Sequence, residues 1–249
     1  MYVGLSASES LLDEARANPA LEIHGEPHDL RFDAEGNLRL VDSRLSAVRA
    51  HTIMETTMTE PARKHYTLAE YLDLEEASEV KHEYYDGQIW AMTGASINHN
   101  RIVGNLVTTL NNALQGSACE VFPSDMRVQT PSGLYTYPDV SVVCGGAVLG
   151  EARLDTLTNP TVLFEVLSDS TARNDRGRKF DLYRSIPTLQ DIVFVDQYRV
   201  WLEHRRAASG DWIDRTLADL GASLELPSIG CSIGLADLYR RVSFGSHSD

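Results

Sequence analysis

Two aliphatic runs, each interrupted by a single carboxylate, constrain this chain most: Tyr137-Pro138-Asp139-Val140-Ser141-Val142-Val143 and Thr161-Val162-Leu163-Phe164-Glu165-Val166-Leu167. Their β-branched and aliphatic content reads as two buried strands. An unpaired carboxylate inside such a strand forfeits its hydration, so each acid must be paired, protonated or bound to a cation. Both runs lead into polar turn material, Cys144-Gly145-Gly146 and Ser168-Asp169-Ser170-Thr171. Two acids near the ends of neighbouring strands make a hard oxygen site suited to Mg²⁺ or Mn²⁺.

The elements around these strands imply an α/β (α+β) sheet flanked by helices. Thr67 is placed as an N-cap, with Glu70 completing a capping box for a helix that begins at about Tyr66. Glu83 to Met92 reads as a hairpin around Asp86-Gly87. Ile102, Val103, Leu106, Leu110 and Leu114 form one stripe of a helix from His99 to Leu114. Strands are expected at Glu120 to Phe122, Met126 to Thr130, Tyr137 to Cys144 and Thr161 to Leu167. A helix over about Arg176 to Ser185 stops at Pro187, and a meander follows over Asp191 to Asp196, Val200 to His204 and Trp212 to Leu217. Gly234 to Tyr239 reads as a short closing helix.

Residues 1–57 differ in character from 58–249. They hold a short amphipathic helix candidate (Ser10 to Asn18) and a hairpin candidate (Asp29 to Val41) around Glu35-Gly36-Asn37. Either this leader is a small appendage, or translation begins at Met54 or Met58; the intact mass of the native gene product distinguishes the two. No apolar run approaches the roughly 20 residues of a membrane helix. The widely spaced Cys119, Cys144 and Cys231 read as reduced small hydrophobes of a cytoplasmic protein.

A net charge of −14 excludes a general nucleic-acid coater, because non-specific affinity comes from basic side chains neutralising phosphates. Local binding stays open through the basic cluster Arg173 to Lys179, followed by Arg184, with a divalent cation screening the acids.

Pro138-Asp139 followed by a strand glutamate 26 residues on resembles the PD-(D/E)XK nuclease core. From about Tyr66 to Val242 the chain resembles the Uma-two family of endonucleases in that superfamily. The matching pieces are Tyr66 to Tyr71, Tyr85-Asp86-Gly87, His99, Tyr137 to Ser141, Phe164 to Ser168, Asp175 to Lys179, Tyr183 and Ile192 to Asp196. The resemblance implies a restriction-endonuclease-like core and metal-dependent hydrolysis of phosphodiester bonds in DNA. Asp139 and Glu165 would hold Mg²⁺ or Mn²⁺, with the Val166 carbonyl as a further ligand. The superfamily lysine two residues after the glutamate is Leu167 here, and the resemblance points to Lys179 as its replacement. The alternative is a surface lysine pairing with Asp175 at i,i+4. Glu83, ahead of Asp86, is the candidate third acid. His99 is a candidate proton shuttle or outer ligand, or else a capping or packing histidine. A homodimer suits cleavage of two strands. The competing reading is a catalytically inactive nucleic-acid or protein-binding module of the same fold, favoured by Leu167 and the acidic composition.

Overall fold

The computed structural model describes residues 20–23, 26–32, 38–41, 64–92, 94–150, 155–168 and 171–244. The chain divides into two compact units, Met1–Glu60 and Pro61–Asp249. In the first, β1 (Ala20–Ile23), β2 (Glu26–Phe32) and β3 (Leu38–Val41) form an antiparallel sheet. The β2–β3 pair includes the expected hairpin, whose turn lies outside the described residues, as does the helix expected from Ser10 to Asn18.

The second unit is a mixed α+β structure. Helix α1 (Leu68–Ala77) starts at the Thr67 capping box, with both reciprocal bonds to Glu70 made. β4 (His82–Tyr85) and β5 (Gln88–Ala91) then form the Asp-Gly hairpin, with Asp86 and Gly87 both at positive φ. A Cβ on Gly87 would lie 2.2 Å from the His65 ring, so the turn needs glycine for space as well as for conformation.

Helix α2 (Ile97–Ala113) is capped by Ser96. It leads to β6 (Cys119–Pro123), β7 (Arg127–Gln129), β8 (Tyr135–Thr136), β9 (Val140–Cys144), β10 (Thr156–Leu157) and β11 (Val162–Leu167). A helical segment follows: α3 (Ala172–Asn174), a π-turn (Asp175–Lys179) and α4 (Phe180–Tyr183). Then come β12 (Asp191–Asp196), β13 (Leu202–Ala208), β14 (Asp211–Leu217), β15 (Ser223–Leu226), β16 (Cys231–Gly234) and α5 (Leu235–Leu238).

The central sheet has the order β14-β13-β12-β11-β9-β6, antiparallel except for the β11–β12 pair. The helical segment 172–183 is the crossover that makes that pair parallel. Alternation sorts the side chains of the sheet. Val140, Val142, Val162, Phe164 and Val166 pack with the α2 stripe of Ile102, Leu106, Leu110 and Leu114. Val143, Leu163 and Leu167 pack on the other face with Phe180, Tyr183 and Ile186. A second sheet, β10-β7-β8-β4-β5, carries the hairpin at its edge.

Two expectations need correction. Asp139 lies just before its strand, in a bend, because Pro138 has no N–H with which to extend the ladder. The cysteines are not all reduced. Cys119 and Cys144 face each other across β6 and β9 and are disulfide-bonded, whereas Cys231 is free and buried. Among the described residues no helix is long and apolar enough to cross a membrane.

Candidate active site

Strand register brings the two acids together. β9 and β11 pair Val142 with Val162, Ser141 with Leu163 and Val140 with Phe164. One further step sets Asp139 opposite Glu165, on the sheet face shared with Leu163 and Leu167. Beyond the proline the Asp139 side chain takes over the ladder, its Oδ2 accepting from the Val166 N–H at 2.7 Å. Both carboxylates are nearly buried and line an open cavity of about 890 Å³.

Lys179 reaches this cavity from the helical segment. The Phe180 N–H bonds back to the Asp175 carbonyl, the i to i−5 bond of a π-turn, in which Asp175 and Lys179 are turned inward. The Lys179 ammonium lies 2.9 Å from Glu83 Oε1, 2.9 Å from Glu165 Oε1 and 3.5 Å from Asp175 Oδ1. The i,i+4 pair with Asp175 therefore exists, but the lysine is buried, not on the surface. Of the other basic residues, Arg178 also lines the cavity, over the Tyr85 and Trp90 rings, whereas Arg176 approaches Glu203 and Arg184 approaches Asp181.

Glu83 projects from β4, and Thr136 donates to its Oε1 at 2.5 Å. His99 sits at the third residue of α2, where its N–H is capped by Ser96 and its Nε2 lies 3.0 Å from Asp139 Oδ1. The helix entry is anchored in turn: Ser96 donates to Gln197, and Gln197 Nε2 donates to the Leu167 carbonyl at 2.8 Å. His99 Nδ1 is buried with no hydrogen-bond partner, which assigns the proton to Nε2, donating to Asp139.

The five catalytic candidates, Asp139, Glu165, Lys179, Glu83 and His99, thus line one cavity, together with the further ligand candidate Val166. Sequence reasoning gave no role to Tyr183, whose hydroxyl donates to Glu165 Oε1 at 2.5 Å, nor to Thr136 and Gln197, and it placed Asp175 only as an i,i+4 partner of Lys179. The i, i+4 spacing of Lys179 and Tyr183 from a strand-end glutamate's crossover helix was the available signal. Asp86 stays in its turn, as its positive φ requires. Ser168 bonds Thr171 at the start of the crossover.

Charge balance shapes the titration. Burial pushes the Glu165 carboxyl up to about 8; Lys179 opposes this, while Asp175 and Asp139 add to it. Burial also raises Asp175. For Glu83, the Lys179 ammonium outweighs burial and holds the carboxyl below its ordinary range. Burial alone would lower Lys179, yet the surrounding Glu165, Tyr183, Glu83 and Asp175 hold it well above the usual lysine value. Burial and Glu165 likewise keep Tyr183 protonated.

A folded-state pKa above the unfolded one contributes stability that is present at low pH and lost on rising through the folded value. For Glu165 the window runs from the ordinary glutamate value of 4.5 to about 8. In EDTA, urea unfolding should therefore show wild-type stability falling between pH 5 and 8 more steeply than that of Glu165→Gln. Parallel pH profiles would show that this carboxyl does not titrate in that window.

The donor chemistry fits a hard divalent cation. Lys179 and Tyr183 both contact Oε1 of Glu165, and no described residue engages its Oε2. Among the described residues, no group of three or more His, Cys, Asp or Glu side chains is placed to hold a metal ion.

The family model described as "Uma2: Putative restriction endonuclease" matches residues 68–236. Two uncharacterized Synechocystis proteins are similar: slr1290, 41% identical over 70% of this chain and 92% of its own length, and sll1609, 37% identical over 64% and 91%. A crystal structure from Anabaena variabilis, titled as "a putative nuclease belonging to DUF820", shares the fold with TM-score 0.58 at 20% identity. The match covers 70% of this chain and 97% of that one.

Proposed function

The chain belongs to the Uma2 family of restriction-endonuclease-like proteins, and from that premise we propose that it is a metal-dependent endonuclease hydrolysing phosphodiester bonds in DNA. The observation carrying this reading is the Lys179 ammonium at 2.9 Å from Glu165, in the role that Leu167 leaves vacant on the strand. Asp139 and Glu165, with the Val166 carbonyl, would hold Mg²⁺ or Mn²⁺. Bound there, the cation would polarise a phosphoryl oxygen and lower the pKa of water.

The chain's own groups divide the remaining work. Lys179, held protonated by its three carboxylates, cannot serve as a base; it donates N–H bonds to the phosphate or the attacking water. Glu83 and Asp175 fix the ammonium, and Thr136 and Tyr183 fix the carboxylates. His99 positions Asp139 through its Nε2, 3.0 Å from Oδ1.

Incubation of plasmid DNA with the protein and Mg²⁺ or Mn²⁺ tests the proposal. Cleavage should appear, stop on EDTA addition and be absent in Asp139→Ala and Glu165→Ala. DNA binding without metal-dependent cleavage would favour the inactive module instead.

A further inference from the structure

The mouth of the cavity carries an aromatic and cationic surface that the chemistry above leaves unused. Trp90 lies directly opposite Glu83 in the β4–β5 ladder, so its indole stands on the same sheet face as that acid. It is 41% exposed on the edge strand β5. The Arg178 guanidinium, next in sequence to Lys179, lies 5.8 Å from the Trp90 ring centre and 4.8 Å from that of Tyr85. Across the cavity Tyr198 is 48% exposed.

Charge makes these rings matter. The basic side chains lining the cavity are Lys81, Arg178 and Lys179. Lys81 is paired with Asp125 at 2.6 Å, and Lys179 is surrounded by carboxylates. Arg178 has no carboxylate partner among the described residues. A duplex footprint draws its affinity from many neutralised phosphates, whereas the described residues lining this cavity offer one cation without a carboxylate partner, on a chain of net charge −14. Stacking of an unpaired base on an aromatic ring needs no such neutralisation and is strengthened by arginine.

We propose that Trp90, backed by Arg178 and Tyr85, is a stacking platform for an unpaired nucleobase, so that the substrate is single-stranded or locally unpaired DNA in preference to intact duplex. This rests on the nuclease reading and names its substrate class. The base on Trp90 sets an adjacent phosphate beside Glu83, Lys179 and the two strand acids.

The test uses a labelled 20-nucleotide strand and its duplex, with cleavage rates measured in Mn²⁺ and binding measured by anisotropy in Ca²⁺. Wild type should bind and cut the single strand at least about tenfold better than the duplex. Trp90→Ala should weaken single-strand binding roughly 5- to 150-fold, the range for one stacked base. The loss should appear in KM more than in kcat, with Trp90→Phe retaining most of the affinity. Equal behaviour of Trp90→Ala and wild type, or duplex cut as well as single strand, overturns the platform and leaves the nuclease reading standing. Trp90-dependent binding of the single strand with no cleavage of either substrate supports the platform and removes the nuclease reading. Absence of both binding and cleavage overturns both.

Discussion

Asp139→Asn should lower Mg²⁺- or Mn²⁺-dependent DNA cleavage by about a thousandfold or more, the rate equivalent of losing several kcal/mol of metal-derived stabilisation. The substitution keeps the shape and changes the donors. Oδ2 accepts from the Val166 N–H and Oδ1 from His99 Nε2. A carboxamide can satisfy the first with its oxygen, but its NH₂ then faces the imidazole N–H. Relief requires the histidine proton to move to Nδ1, which is buried with no partner. A stability cost of about 1–3 kcal/mol follows from the unsatisfied polar group. The variant should therefore fold, melt somewhat earlier and cut DNA far more slowly. Single-turnover rates on a common DNA substrate, beside urea unfolding curves, separate the two effects. A rate within tenfold of wild type would remove Asp139 from the chemistry.

Lys179→Met should lose about a hundredfold to a thousandfold in cleavage rate, the range for removing one preorganised donor. It should also lose about 3–5 kcal/mol of stability near neutral pH, because Glu83, whose carboxyl the ammonium holds ionised, is left buried without its cation. The sign of the pH dependence follows from the groups involved. Glu83, held low by the ammonium, contributes stability above its unfolded pKa that is lost as pH falls through the folded value. Without the ammonium that contribution vanishes, and the acids take up protons more readily. The deficit relative to wild type should shrink as pH falls toward 4. Unfolding free energies at pH 4.5 and 7.5 check this. Lys179→Arg should recover part of the stability and little of the rate, since a planar fork cannot meet the three carboxylates as a point charge does. A pH-independent deficit would mean that the lysine acts through packing alone.

The central strands were legible because a buried strand announces itself by an unbroken β-branched run, and Asp191–Asp196 was read to the residue. β8 and β10, two residues each, are too short to show any alternation. The disulfide was missed because Cys119 and Cys144 meet only through non-local β6–β9 pairing, 25 residues apart. In the site, a carboxylate within an apolar run is a local anomaly, so Asp139 and Glu165 stood out. Lys179 and His99 came from family resemblance, since a lysine in a basic run looks like any solvated helix face. Tyr183 offers only its i, i+4 spacing from Lys179, and Gln197 carries no local signal. Their roles depend on a crossover helix folding back over β11 and on a loop reaching the start of α2.

Calorimetric titration of Mn²⁺ into the full-length protein tests the shared cation site most directly. Wild type should bind Mn²⁺ at a carboxylate site that is lost in both Asp139→Asn and Glu165→Gln. Undiminished affinity in the two variants would contradict convergence of Asp139 and Glu165 on one metal.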